Sequence, residues 1–280
     1  MTDGMARRTL FRGAAQAAAL AGIVAAVPAR ADTACSGGNT LAAVKKRGKL
    51  VAGVKSDYEP FGFVDDKGQL AGFDVDVITY IAGKLGVGVD LRPVTTANRI
   101  PMLQSGIVDL LAASLTMTRE RMQAIDFSEP YIVIGSRFLV KKGSGIRGYA
   151  DLAGKTVAFT QGTPWGKQLE NGQPAAKPLI LQDKPQAVQA VLQGKAAAYI
   201  DDAAPLIIFA KRHPDALEAV GNPSKPSPMG IGVRPDDREW RNAVDFAVSD
   251  MWMDGTYAKT YQKFFASAPD PDFEIYSWIL

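Results

Sequence analysis

The sequence predicts an α/β fold built from two units in series, each a mostly parallel sheet flanked by helices, with a cleft between them. Three observations carry this. Short apolar strands alternate with amphipathic helices from residue 49 to residue 114. The same alternation restarts near residue 137, which argues for two sheets and not one long one. Isolated polar side chains stand just beyond strand ends, where ligands bind in α/β sheets, and two such clusters facing each other would line a cleft.

The elements follow in order. "KLVAGVK" (49–55) is short and apolar with Gly near its end, a strand. In "GFDVDVITYIAGKLG", Val77, Ile78, Ile81 and Leu85 share one face at helical spacing. "GVDLRPV" is a strand, "NRIPMLQSG" a short helix closed by Gly106, and "VDLLAAS" a buried strand with a continuous apolar run. Thr118 is placed to cap a helix starting at "RERMQAI", which puts Arg121 near the helix start, beside Ser114 and Thr116. The second unit begins with the strand "RFLVKK" and the short helix "GYADLAG". The strand "TVAFTQG" and a helix opened by Thr163 and Pro164 come next. "KPQAVQAVLQGK" is a helix with Val188, Val191 and Leu192 on one face. The strand "AAAYIDD" then leads into "APLIIFAKRH". After the Pro-rich "GNPSKPSP", the strand "MGIGV" returns, and the helices "DDREWRNAVDFAVSDMWMDG" and "TYAKTYQKFFAS" close the chain.

Length and charge bound the function. A chain of 280 residues can bury two substantial cores. Residues 1–31 read as a signal peptide with a basic start, an Ala-rich apolar stretch and a small-x-small site at Ala29–Ala31. Arg7 and Arg8 followed by Leu10 and Phe11 resemble a twin-arginine export signal, the alternative being a general secretory leader. Cleavage there removes four of the 32 basic residues (Arg7, Arg8, Arg12, Arg30) and one of the 29 acidic ones (Asp3). The mature chain is then formally neutral, so nothing points to nucleic acid or an anionic membrane. Cys35 is the single cysteine, which excludes an internal disulfide. It reads as a free thiol, with a lipid anchor as the alternative. With one cysteine and one histidine, His213, there is no zinc cluster, and no metal or cofactor is expected. His213, in "KRHPDA", reads as a surface helix end.

Arg121 offers a planar fork of donors that matches a carboxylate, and the Ser114 and Thr116 hydroxyls can donate to the same anion. On chemistry alone, a surface pair of Arg121 with Glu120 explains these residues equally well.

The chain resembles the polar amino acid-binding family of bacterial extracellular solute-binding proteins, the soluble subunits of ABC importers. The matching stretches are "DYEPFGFVDDKGQLAGFDVDV", "VDLLAASLTMTRERMQAIDFSEPY", "YADLAGKTVAFTQGT" and "GIGVRPDDREWRNAVDFAVSDMWMDGTYAKTYQKFF". They run in family order over roughly residues 45–267. The resemblance implies a two-lobe periplasmic binding protein of type II fold with its ligand in the inter-lobe cleft. One lobe would hold residues 45–133 and 230–280, the other 134–229, with crossings near Tyr131–Ser136 and Ser227–Gly232. It further implies that Arg121 clamps the α-carboxylate of an amino acid, that Ser114, Thr116 and Thr163 line the same site, and that Asp202 receives the α-ammonium. Tyr58 matches an aromatic packed on the ligand's aliphatic part. Lys55 lies at a side-chain-reading position, and Arg99 matches a position where binders of acidic amino acids carry Arg. Together these favour glutamate or aspartate, the alternative being cations that are solvated or paired with Asp57 or Asp65. The chain departs from the family in having Thr96 where many members place a second aromatic. It also has Pro164, followed by Trp165, where a backbone N–H often meets the α-carboxylate. The partner implied is an inner-membrane ABC permease, the location the periplasm, and the state a monomer.

Two other classes compete. The fold also hosts enzymes acting on small carboxylates, such as cyclohexadienyl dehydratase-like lyases, for which Asp201 or Glu59 would be candidate acids. The sequence pairs neither with a partner, so no catalytic residue is assigned. A ligand-sensing module docking on a receptor is the third reading.

Overall fold

The computed structural model describes residues 39–221, 227–267 and 269. The leader, its cleavage site and Cys35 lie outside the described residues, as do residues 222–226 of the Pro-rich stretch.

The first part of the chain contains α1 (Thr40–Arg47), β1 (Lys49–Val54), β2 (Asp57–Tyr58), β3 (Gly62–Val64) and β4 (Leu70–Ala71). It continues with α2 (Phe73–Leu85), β5 (Gly88–Pro93), α3 (Arg99–Gln104), β6 (Leu110–Leu111) and β7 (Asp126–Ile134). The second part contains β8 (Ser136–Lys141), β9 (Thr156–Thr160), α4 (Trp165–Gly172), β10 (Lys177–Leu181) and α5 (Lys184–Leu192). It ends with β11 (Ala198–Asp202), α6 (Ala203–Arg212) and β12 (Leu217–Val220). The chain closes with β13 (Ser227–Val233), α7 (Arg238–Met253) and α8 (Thr256–Phe265).

Two five-stranded sheets form, ordered β5-β1-β6-β13-β7 and β10-β9-β11-β8-β12. In each, four strands run one way and a single strand runs against them: β13 in the first sheet and β8 in the second. The chain passes between sheets at Gly135, directly from β7 to β8, and returns into β13. That return strand pairs Ser227 with Ile134, beside the first passage. The sheets with their helices are the two lobes.

The local chemistry explains the elements. Helix α2 begins after Gly72 and ends at Gly86, whose φ of 70° allows a left-handed cap, and it buries Val77, Ile78 and Ile81 against the first sheet. Asp237 caps α7 by accepting from Trp240 N at 3.2 Å and also takes Thr40 N at 2.9 Å, tying α1 to α7. The second lobe is packed on both faces, with Trp165, Phe138 and Ile200 on one and Tyr199, Val191 and Leu206 on the other.

Three local expectations are corrected. The segment at "RERMQAI" forms a single 3₁₀ turn, Arg121–Gln123, and not a helix. The Thr118 hydroxyl still accepts from Arg121 N at 3.2 Å, but the chain turns at once into β7. "GYADLAG" likewise forms a 3₁₀ turn, Tyr149–Leu152. "VDLLAAS" is buried, yet only Leu110 and Leu111 pair as strand, because the chain kinks at Ser114, where φ is 50°. His213 is exposed at the end of α6, as the sequence suggests.

Candidate functional site

The ends of β1, β6 and β11, with the loops after β2, β5 and β9, converge on one tight polar cavity with free space of about 10 Å³, the room of about one water. Seven of the eight residues singled out in the sequence, Lys55, Tyr58, Arg99, Ser114, Thr116, Thr163 and Asp202, line it. Arg121 stands at its edge, on a wider groove that shares Thr96, Thr163 and Pro164 with the cavity.

Ser114 takes its left-handed backbone because Asp74, buried at the start of α2, accepts its N–H at 3.0 Å. Asp74 also accepts from the Tyr131 hydroxyl at 2.7 Å, and burial pushes its carboxyl up to about 7. The kink leaves the Ser114 hydroxyl buried in the cavity wall without a hydrogen-bond partner.

Arg99, at the start of α3, is almost fully buried. Its Nη1 donates to the carbonyls of Ala113 and Ser114, the latter at 3.2 Å. Its Nε has no partner, and Nη2 makes no hydrogen bond or ion pair to a described residue, so the Nε–Nη2 edge is uncommitted. That edge is the one that grips a carboxylate with two parallel bonds. Burial, followed by the neighbouring Arg121, pushes the guanidinium down to about 9, which keeps it charged at neutral pH. Arg121 donates from Nη1 to Thr116 O at 2.7 Å and from Nη2 to Gly162 O at 2.8 Å. Each terminal nitrogen keeps a second N–H. The Gly162 contact reaches across to the other lobe.

Lys55 ends β1 and is buried, with Nζ 2.8 Å from Asp57 Oδ1 and 3.3 Å from Thr96 Oγ1. The pairing with Asp57 considered from the sequence is thus present, and it leaves Lys55 on the cavity wall. Burial, opposed by Asp57, lowers its ammonium to about 8. The Thr163 hydroxyl donates to Thr160 O at 2.6 Å, so its oxygen lone pairs are what it can offer.

On the opposite wall are the consecutive aspartates ending β11. Asp202 Oδ2 lies 2.6 Å from the Tyr58 hydroxyl, and its Oδ1 is buried without a partner. Burial first, then the charge of Asp201, push this carboxyl up to about 7. Asp201 is different. Burial pushes it up, but the Lys184 ammonium beside it and hydrogen bonds from Lys184, Tyr199 and Asp202 N outweigh that and hold it below the usual carboxylate range. It also accepts from Trp165 Nε1 at 2.8 Å, and the Tyr58 hydroxyl lies 2.9 Å from its Oδ1. Tyr58 has one proton and so serves one aspartate at a time.

Asp201, Lys184 and Trp165 line the cavity without having been proposed as binding residues from the sequence. Asp201 had been weighed only as a candidate acid lacking a partner, and the structure supplies Lys184, Tyr199 and Trp165 around it. Glu59, the other candidate, pairs with Arg212 at the surface. Among the described residues no cluster of three or more His, Cys, Asp or Glu could hold a metal.

The cavity is thus a small polar chamber with Arg99 and the Ser114 hydroxyl on one wall and a bare carboxylate oxygen on the other. The chain is also similar to known proteins. The family profile described as bacterial extracellular solute-binding proteins, family 3, matches residues 50–267. The ABC transporter glutamine-binding protein GlnH of Bacillus subtilis (strain 168) is 32% identical over 237 residues, covering 82% of this chain and 86% of that protein. The glutamate/aspartate import solute-binding protein of Escherichia coli (strain K12) is 31% identical, covering 86% and 84%. Among solved structures, the ancestral amino acid-binding protein AncCDT-1, a precursor of cyclohexadienyl dehydratase, superposes with a TM-score of 0.75. It is 35% identical and covers 81% of this chain and 99% of its own.

Proposed function

Because the chain belongs to the bacterial extracellular solute-binding proteins, family 3, we propose that it is the substrate-binding subunit of an ABC importer for a polar amino acid, with glutamate or aspartate the best fit. Three buried polar atoms without partners carry this reading: Arg99 Nε, Ser114 Oγ and Asp202 Oδ1. Two of them donate and one accepts, and they line one chamber, which is what a zwitterion needs. A carboxylate takes the free edge of Arg99 and the Ser114 hydroxyl, with Arg121 beside them. The α-ammonium takes Asp202, beside the Tyr58 hydroxyl. Lys55 supplies further positive charge, and Thr116 and Thr163 complete the wall.

The lobes, residues 45–133 with 230–280 and residues 134–229, close on the ligand about the passages between sheets. Closure removes water from both ion pairs together and strengthens them, so the ligand selects the closed form. The protein acts as a monomer in the periplasm after removal of its leader and hands its ligand to a membrane permease. Relatives bind different amino acids by name, glutamine in one case and glutamate or aspartate in another. The choice of an acidic ligand therefore rests on Lys55 and Arg99.

Calorimetric titration of refolded, ligand-stripped protein with L-glutamate, L-aspartate, L-glutamine and L-arginine tests the reading. Micromolar or tighter binding of an acidic amino acid is expected, about −8 kcal/mol or more favourable. Binding of glutamine or arginine alone would keep the transport role and remove the acidic assignment. A second reading, a small-carboxylate lyase, is favoured only by the Asp201 cluster. Turnover of a prephenate- or arogenate-like substrate would establish it.

A further inference from the structure

Lys184 is placed against a local preference. It occupies the first turn of α5, next to the capping Asp183, where the helix dipole disfavours a cation. It is only 3% exposed and is paired with the buried Asp201. A cation buried at a helix start is a poor stabilising device, and such conflicts concentrate at functional sites. The backbone there is well fixed: Asp183 accepts from Gln186 N at 2.8 Å, and Pro185 stiffens the first turn.

The side chain crosses the cavity wall. Its Nζ donates to Asp201 Oδ2 and sits 3.8 Å from the centre of the Tyr58 ring. An ammonium has three N–H groups. One goes to Asp201 and one face is taken by the ring, which leaves donor capacity on a cavity-lining atom. Asp201 is in turn held by Trp165, Tyr199 and Asp202 N, so it fixes where the ammonium points.

Lys55, Arg99 and Lys184 stand on the cavity wall with Asp201 and Asp202, Lys55 paired to Asp57 and Lys184 to Asp201. A distal carboxylate is the ligand group that a fixed ammonium with spare donors takes, and an uncharged amide takes it less well.

We propose that Lys184 is a specificity-determining residue that reads the distal carboxylate of an acidic amino acid, with Asp201 as its positioning residue. This rests on the amino acid-binding reading above and adds to it a residue outside the motifs that carried the resemblance.

The test is calorimetry of wild-type protein, Lys184→Met and the double variant Lys184→Met/Asp201→Asn, each titrated with L-glutamate and with its uncharged isostere L-glutamine. The double variant removes the buried pair together, so that a fold strained by a lone Asp201 charge is not mistaken for a specificity effect. In both variants glutamate affinity falls about thirtyfold, in the range for losing a hydrogen bond to a charged group, while glutamine affinity moves less than about threefold. Equal losses for the two ligands would make Lys184 structural and overturn the proposal. Wild-type binding of glutamate that neither variant alters would overturn it alone. Wild-type protein that binds neither glutamate nor aspartate would remove the acidic reading and this inference with it.

Discussion

The Tyr58 hydroxyl stands 2.6 Å from Asp202 Oδ2, although Tyr58 packs in the core of the first lobe and Asp202 ends a strand of the second. The contact therefore joins lobe closure to the carboxylate assigned to the ligand's ammonium. Tyr58→Phe keeps the ring and removes the link. Ligand affinity is expected to fall about tenfold, or about 1.4 kcal/mol, the usual scale for one such hydrogen bond. Calorimetric titration measures it, and an unchanged Kd would show that the link plays no part in binding.

Arg99 carries more. Arg99→Met removes an uncommitted two-pronged donor edge of the chamber and is expected to weaken binding at least a hundredfold, roughly 3 kcal/mol. Arg99→Lys restores the charge without the fork and should fall between that variant and wild type. If Arg99→Lys binds as tightly as wild type, charge alone matters and the bidentate assignment is wrong.

Ligand stabilisation should depend on pH. In the free protein burial raises Asp202 to about 7, whereas an unfolded aspartate titrates near 4. Between those values the folded state binds the extra proton, so this group's contribution to stability is largest at low pH and declines as pH rises from about 4 to 7. Asp201, held low, acts in the opposite sense and only below that window. The two carboxyls interact, so what is observed belongs to the pair. A bound ammonium favours ionised Asp202 and reverses the preference. The rise in Tm given by a fixed excess of ligand should therefore be larger at pH 8 than at pH 5.5, and Asp202→Asn should flatten the difference. Differential scanning fluorimetry across that range decides it.

Gly162 brings its backbone close to Thr96 of the other lobe at the site. Its φ is 78°, and a Cβ placed there would lie 3.0 Å from Thr96 O on the other lobe. Gly162→Ala therefore strains both the turn and the closed state, by about 1–2 kcal/mol. Weaker ligand binding is expected, with a larger radius of gyration at saturating ligand in small-angle scattering. An unchanged radius and an unchanged Kd would refute the close approach.

Asp74 holds Ser114 in its left-handed conformation. Asp74→Ala removes both acceptors and leaves Ser114 N and the Tyr131 hydroxyl buried without them. The loss is expected to cost at least about 1–3 kcal/mol, read as a lower Tm in thermal unfolding.

What the sequence made legible had strong local signals. Helix α2 combined a clean apolar face with glycine at both ends, and the strands at residues 49–54 and 198–202 were short apolar runs with polar residues at their ends. The elements left unread, α1, β2 to β4, β7, β10 and β12, lack such signals. Lys177–Leu181 contains Pro178 and sits at a sheet edge, where proline is tolerated, so its pattern does not announce a strand. At the candidate site, Arg121 and Asp202 are legible in the sequence because recognisable motifs surround them. Lys184 and Trp165 were not assigned, because a lysine opening one helix and a tryptophan opening another meet at Asp201 only through long-range packing. The helix expected at Arg121 failed for a related reason: the strand Asp126–Ile134 claims the backbone just after it, and pairing with β13 overrides local helix propensity.

Strand β13 bonds to β6 on one side and β7 on the other, and β7 makes no bond to any other strand of its sheet. The middle of the first sheet is therefore supplied by residues near the end of the chain. A fragment that stops before residue 227 has every strand of the second sheet but an unfilled slot in the first, with β7 detached beside two unpaired edges. The second lobe, inserted in the sequence, can complete its sheet earlier, while the lobe that comes first must wait for the last strand to arrive. Such an order makes premature assembly of the N-terminal half unfavourable, and exposes a sticky open edge for as long as the chain is incomplete.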